Sequence, residues 1–90
     1  MSKELENLRK KINEIDFEFL QKLAERFLLI SRIAECKVKN NFPIFSEKRE
    51  KEILKTRKIL AKKLKLNELM VKKIFKLILK ESRSKQKGDY

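Results

Sequence analysis

One apolar stripe constrains the fold of this chain more than any other feature. Hydrophobic side chains recur at the three- and four-residue spacing of a core-facing helix. The stripe consists of Leu5, Leu8, Ile12, Ile15, Phe19, Leu23, Phe27, Ile30, Ile33 and Ala34. No helix breaker occurs before Asn40-Asn41-Phe42-Pro43. We therefore predict a first helix from about Ser2 to Lys39, about 57 Å long and roughly twice the diameter of a domain of this size.

The rest of the chain predicts two shorter helices. Ser46 is the expected N-cap of the second, with Glu47 in its first turn, and Asn67 is the expected N-cap of the third. From Ser84 to Tyr90 the apolar residues are lost, so we predict a frayed tail. The single Gly and single Pro also favour helix throughout. The predicted fold is all-α, with one domain over residues 1–90.

The unequal helix lengths predict an assembly. The second and third helices are each about half as long as the first. Folded back within one chain, they could not easily cover the stripe from Leu5 to Ala34, whereas a second copy could. We therefore expect an intertwined helical homodimer. The alternative is a three-helix monomer with a shorter or kinked first helix, but nothing between Leu5 and Lys39 would break that helix.

The chain is strongly basic, with a formal net charge of +12 from 25 Lys and Arg against 13 Asp and Glu. Such an excess favours an anionic partner. Because the lysines are spread over all three predicted helices without a single block, we interpret most of the excess as a lysine-rich composition of the kind found in heat-adapted proteins.

Composition also excludes several classes of protein. There is no His, which removes the imidazole base and His-based metal sites. Cys36 is the only cysteine, so no intramolecular disulfide is possible. No apolar segment is long enough to span a bilayer, and no signal-peptide run follows Met1. We expect a soluble cytoplasmic protein with no metal, no cofactor and no membrane partner.

Polar side chains occupy apolar helix faces in all three helices. Six of them share a face with predicted core residues: Arg26, Lys37, Arg49, Glu50, Ser82 and Gln86. Arg26 and Lys37 project from one face about 16 Å apart. Taken singly, each could be a cap, a stripe-edge residue or a member of an ion pair such as Glu50 with Arg26. A buried charge is costly unless it is paired, so the six together predict a pocket for an anionic ligand.

These residues belong to a longer ordered pattern. It begins with Leu8-Arg9 and Ile12-Asn13-Glu14-Ile15-Asp16, continues with Leu23-Ala24-Glu25-Arg26 and Lys37, and then includes Pro43, Arg49-Glu50, Ser82 and Gln86. In this order and at these spacings, the chain resembles the all-α chorismate mutases along nearly its whole length. One position departs from the pattern: Ser46 stands where the family often has an Asp. Both residues are good N-caps.

The resemblance implies a dimer of three-helix chains with two equivalent sites. The implied reaction is the rearrangement of chorismate to prephenate in aromatic amino-acid biosynthesis, without a cofactor. Arg26 would bind a substrate carboxylate from its own chain, and Arg9 would do so from the other chain. Lys37 and Gln86 would hydrogen-bond the ether oxygen. Glu50 would accept from the ring hydroxyl near Ser46, and Arg49 and Ser82 would complete the lining.

Helix geometry agrees with the implied assignment of Arg9 and Arg26 to different chains. Arg9 and Arg26 lie about 25 Å apart along one straight helix, too far for one small molecule to touch both. The sequence offers no nucleophile with a base, no metal cluster and no Gly-rich phosphate loop, and an intramolecular rearrangement needs none of these.

Three other functions remain open at this point. An isochorismate-pyruvate lyase of the same fold would handle a related dianion with similar basic residues. A basic helical module that binds nucleic acid is supported by the net charge alone, without zinc spacing or aromatic–basic interleaving. A structural helical dimer with no ligand would leave the inward polar residues unexplained.

Overall fold

The computed structural model describes residues 2–88, and its folded part consists of three helices. They are α1 (Lys3–Lys39), α2 (Glu47–Lys63) and α3 (Glu68–Lys87), and no strand occurs within residues 2–88. The prediction of an all-α chain with one long and two shorter helices is therefore confirmed. The longest dimension of the molecule is 58 Å, which matches the length expected for α1.

Each helix begins at a side-chain cap. The side-chain oxygens of Ser2, Ser46 and Asn67 accept hydrogen bonds from backbone N–H groups three residues further on. These bonds satisfy donors that a helix N-terminus otherwise leaves without a partner. Ser46 and Asn67 are the predicted caps, so both of these helix starts follow directly from the sequence.

The first two helices end in the same way. After α1, Asn41 adopts the left-handed conformation with φ 58°, and the N–H of Phe42 donates to the carbonyl of Lys37 at 2.8 Å. After α2, Lys65 adopts φ 59° and the N–H of Leu66 donates to the carbonyl of Ala61 at 2.9 Å. Both ends are Schellman motifs, which usually use Gly at the left-handed position.

The third helix extends further than the sequence predicts. We expect fraying from Ser84, whereas α3 continues to Lys87 and is closed by Gly88 at φ 75°. Ser84 and Gln86 are half-buried, so packing holds a polar last turn that lacks apolar residues of its own. The remainder of the predicted tail, Asp89 and Tyr90, lies outside the described residues.

The hydrophobic core lies between α2 and α3, and α1 packs against α3. The buried apolar residues are Ile53, Ala61, Val71 and Leu79, and α1 contributes none. The stripe on the N-terminal half of α1 is exposed, with Ile12 and Phe19 each 56% accessible. As the length argument predicts, α2 and α3 do not cover it.

Positive charge is concentrated on α2 and α3. Residues 3–39 carry nine basic and seven acidic side chains, whereas residues 47–87 carry sixteen basic and five acidic ones. Lysines occur on all three helices, as the sequence predicts, but the excess of positive over negative charge lies on the second and third helices. None of the helices formed by residues 2–88 is sufficiently long and apolar to cross a membrane.

Candidate active site

A cleft of about 400 Å³ opens where the C-terminal half of α1 meets the start of α2 and the end of α3. It is lined by seven of the eight residues predicted for the site: Arg26, Lys37, Ser46, Arg49, Glu50, Ser82 and Gln86. The apolar remainder comes from Leu29, Ile30, Ile33, Ile44, Ile53 and Leu79. Arg9 does not line the cleft, since it lies on α1 about 25 Å from Arg26.

Arg26 and Ser82 join α1 to α3 at the floor of the cleft. Arg26 Nη1 donates to Ser82 Oγ at 3.1 Å, and Ser82 Oγ donates to the carbonyl of Ile78 at 2.7 Å. Ser82 is only 3% exposed. Because its own proton goes to the helix backbone, the hydroxyl presents a lone pair to Arg26 and holds the guanidinium in place.

Lys37 and Gln86 form a second contact between the same helices. Lys37 Nζ lies 2.8 Å from Gln86 Oε1 and 2.6 Å from the carbonyl oxygen of Ile44. An ammonium group can only donate, so Gln86 must turn its oxygen towards Lys37. This arrangement leaves one N–H of Lys37 and the amide NH₂ of Gln86 available to an acceptor in the cleft.

The electrostatics of the cleft favour an anion. Five basic side chains line it, namely Arg26, Lys37, Arg49, Arg57 and Arg83, against one carboxylate, that of Glu50. Burial lowers the pKa of Arg26, and the nearby positive charges of Arg57 and Arg49 lower it further. A guanidinium in such surroundings is stabilised when an anion approaches.

Glu50 pairs with a residue that sequence reasoning missed. Arg83 Nη1 lies 2.6 and 2.7 Å from the two carboxylate oxygens of Glu50, and Arg83 Cζ lies 5.7 Å from the centre of the Phe45 ring. The ion pair of Glu50 with Arg26, considered above as a local explanation, is therefore wrong. The available signal was spacing, because Arg83 follows the buried residue Leu79 by four positions on the same helix.

Arg57 is the second lining residue that sequence reasoning missed. It follows Ile53 by four residues and Arg49 by eight, so its place on the same face of α2 was readable. Its Cζ lies 5.6 Å from the centre of the Phe75 ring. Arg49, by contrast, is paired with Glu52 at 2.7 Å near the rim.

Ser46 lines the cleft and is the N-cap of α2. Its hydroxyl accepts a hydrogen bond from the backbone N–H of Arg49 at 3.2 Å, which caps the first turn of α2, the turn that carries Arg49 and Glu50. The Asp that the family often has here would cap the helix in the same way. The substitution therefore preserves the local structure.

Comparison with known protein families shows which family the chain is related to. The model of the family described as chorismate mutase type II matches residues 8–87. The chain belongs to this family. Its match covers all the site residues discussed above, including Arg9. The prediction from the ordered pattern in the sequence is confirmed.

Individual relatives agree with the family match. The chorismate mutase of Methanocaldococcus jannaschii is 36% identical over 87 residues, which cover 97% of this chain and 88% of the relative. The bifunctional chorismate mutase/prephenate dehydratase of Buchnera aphidicola subsp. Schizaphis graminum is 43% identical over 84 residues, which cover 93% of this chain and 22% of the relative. The chain thus spans about a fifth of the length of the bifunctional relatives it matches.

Proposed function

We propose that the protein converts chorismate to prephenate in the cleft between α1, α2 and α3. The observation that carries the proposal is the Lys37–Gln86 contact at 2.8 Å, which lies in the same cleft as the half-buried Arg26. Together they present two hydrogen-bond donors and an inward-facing cation to one small cavity. Its volume of about 400 Å³ is within the range of small-molecule sites.

Binding of the dianion restricts its conformation. Arg26, held by Ser82, is positioned for one carboxylate, and the other basic residues of the cleft compensate the remaining charge. The reacting carbon atoms must approach each other in a chair-like arrangement before the new bond forms. Fixing both carboxylates reduces the entropic cost of reaching that arrangement.

Cleavage of the ether bond requires electrostatic stabilisation. As the C–O bond of the ether lengthens, negative charge builds up on its oxygen. The remaining N–H of Lys37 and the amide NH₂ of Gln86 can donate to that oxygen, and one such donor is typically worth about 3–4 kcal/mol. Glu50, oriented by Arg83, would accept a hydrogen bond from the ring hydroxyl.

We further propose that the active unit is a homodimer in which Arg9 of one chain completes the site of the other. The exposed stripe on α1 and the absence of any buried α1 residue support an apolar partner surface. A second α1 would cover this stripe and bring the N-terminal half of one helix close to the cleft of its partner. The lone cysteine is compatible with a reducing compartment, which supports a cytoplasmic location.

The same cleft could serve an isochorismate-pyruvate lyase, since both substrates are related dianions. The adjacent residues Arg49 and Glu50, as part of the family pattern, favour the mutase. The proposal is tested by incubating the purified protein with chorismate and identifying the product by chromatography, with isochorismate in parallel. Prephenate formed from chorismate, and lost with Arg26→Ala, supports it. Release of pyruvate from isochorismate without formation of prephenate from chorismate overturns it.

A further inference from the structure

A groove runs between α2 and α3 on a face that no residue of α1 lines. It consists of two adjoining cavities of about 570 and 600 Å³ that share Leu54. Seven lysines line it, and we call it the lysine groove: Lys51, Lys55 and Lys58 on α2, and Lys72, Lys73, Lys76 and Lys80 on α3. The two helices therefore present lysines from both sides of one groove.

Apolar side chains lie between the lysines. Leu54 lines both cavities, while Leu69 and Leu77 lie along α3 and are 59% and 69% exposed. An exposed leucine costs free energy that contact with another apolar surface would recover. The groove thus combines two properties, because it is apolar along its centre and positive on both sides.

The charges of the groove are largely uncompensated within residues 2–88. Of the seven lysines, only Lys51 makes an ion pair there, with Glu47 at 3.0 Å. Two glutamates also line the groove, and Glu50 is already held by Arg83. A binding partner with carboxylates along both sides of the groove would therefore contact several lysine ammonium groups that have no ion-pair partner within residues 2–88.

We infer that the lysine groove binds an acidic amphipathic helix of a partner protein. The 17 residues of α2 make the groove about 25 Å long, which matches a helix of about 17 residues. Apolar residues spaced three and four apart on such a helix would contact the leucines. Glu or Asp residues flanking that face would meet the lysines of α2 on one side and of α3 on the other.

The lining favours a protein over a nucleic acid. No aromatic side chain lines either cavity, so there is no platform on which bases could stack. The single arginine of the groove, Arg83, is already paired with Glu50, which compensates its charge and weakens its attraction for a phosphate. The exposed leucines would gain nothing from a phosphate backbone.

The inference is tested with a synthetic helical peptide as the probe. The peptide carries Leu on one face and Glu on both flanks, and its control contains the same residues in an order that removes the apolar face. Binding to the intact protein is followed by fluorescence anisotropy at low and rising salt. We expect the ordered peptide to bind at least about tenfold more tightly than the reordered one, because only it places its leucines together.

Two variants locate the binding surface. Replacing Lys55, Lys72 and Lys76 by Gln should weaken binding about tenfold, since three partly exposed ion pairs are lost. Replacing Lys3, Lys39 and Lys63 by Gln removes the same charge outside the groove and should change binding less than about twofold. Leu77→Gln, at a position with little packing to lose, should weaken binding about fivefold.

The outcomes that overturn the inference are equally definite. Equal binding of the ordered and reordered peptides would mean that net charge alone attracts them. Equal weakening by the two triple variants would place the contact elsewhere. If a single-stranded oligonucleotide of the same charge binds more tightly than the ordered peptide and Leu77→Gln has no effect, the groove is a nucleic-acid surface instead.

Discussion

Lys37 Nζ and Gln86 Oε1 lie 2.8 Å apart, although the two residues come from the last turns of different helices. The contact fixes the orientation of the Gln86 amide, since Lys37 can only donate. The carbonyl of Ile44 holds Lys37 from the loop side at 2.6 Å. The contact leaves one N–H of Lys37 and the amide NH₂ of Gln86 available in the cleft, where we propose that they donate to the ether oxygen.

Gln86→Glu should make activity depend on pH. A carboxylate cannot donate to the ether oxygen, whereas a protonated carboxyl can. The ordinary pKa of Glu is about 4.3, and the ammonium of Lys37 favours the ionised form. We therefore expect kcat of the variant to fall as pH rises through about 4 and to be lower by about 10²–10³ at neutral pH. The measurement is a pH–rate profile of chorismate loss.

The parent protein provides the control for this profile, because Gln86 does not titrate. Its kcat should stay nearly level over the same range. Circular dichroism at each pH shows that both proteins remain folded. A variant as active as the parent at neutral pH would remove Gln86 from the proposed role.

Arg83→Gln should impair catalysis through Glu50. The substitution removes the guanidinium that lies 2.6 Å from the Glu50 carboxylate, which would then be free to approach another cation of the cleft. Because the pair is partly exposed, we expect a loss in kcat/KM of about tenfold. Lys87→Gln, an exposed change on the last turn of the same helix, should have little effect.

A double-mutant cycle shows whether Arg83 acts through Glu50. If it does, adding Arg83→Gln to a Glu50→Gln protein should cost much less than it costs in the parent. Independent effects that simply add would show that Arg83 has a separate role in the cleft.

The starts of the helices and the identity of most polar cleft residues were predictable from the sequence. Ser46 and Asn67 precede apolar repeats, and their capping depends only on local chain geometry. Arg26 and Lys37 were recognisable because the apolar stripe defines the face on which they lie. Periodicity along one helix is enough for such predictions.

Contacts between helices were harder to predict. The Glu50–Arg83 pair joins residues 33 positions apart and depends on the relative rotation of α2 and α3. The last turn of α3 lacks apolar residues, so local sequence predicts fraying where packing maintains the helix to Lys87. The lysine groove was not predictable for the same reason, since its lysines come from two helices.

Lys65→Gly should stabilise the protein. Lys65 has φ 59° at the end of α2, a conformation that is costly for a side chain with a Cβ and easy for Gly. The Schellman hydrogen bonds at this position involve the backbone and would be retained. We expect the free energy of unfolding in urea to rise by about 0.5–1 kcal/mol.

Lys63→Gly is the matched control, two residues earlier, at the last residue of α2. There Gly only adds flexibility to the unfolded chain and should lower the free energy of unfolding by about 0.5–1 kcal/mol. If both changes lower stability, Lys65 is not strained.

Ile12→Glu should disrupt the proposed dimer. Ile12 is 56% exposed on the apolar stripe, so a single chain loses little packing when it is replaced. In the dimer its side chain would be covered by the partner, and a carboxylate there would be buried without compensation. Sedimentation should give a dimer for the parent and a smaller species for the variant. Asn13→Glu, the neighbouring residue off the stripe, should remain dimeric.

Mixing two inactive variants tests whether Arg9 is shared between chains. Arg9→Ala and Lys37→Ala should each be nearly inactive as homodimers, because each then has the same defect in both sites. After unfolding and refolding together in equal amounts, half of the dimers should be mixed, each with one intact and one doubly defective site. The mixture should then recover about a quarter of the parent activity. If tagged chains prove that mixed dimers have formed and activity stays absent, Arg9 does not act across the interface. Lys37→Ala mixed with Gln86→Ala is the matched control: both residues lie in the same cleft, so no site with both groups intact can form and activity should not return.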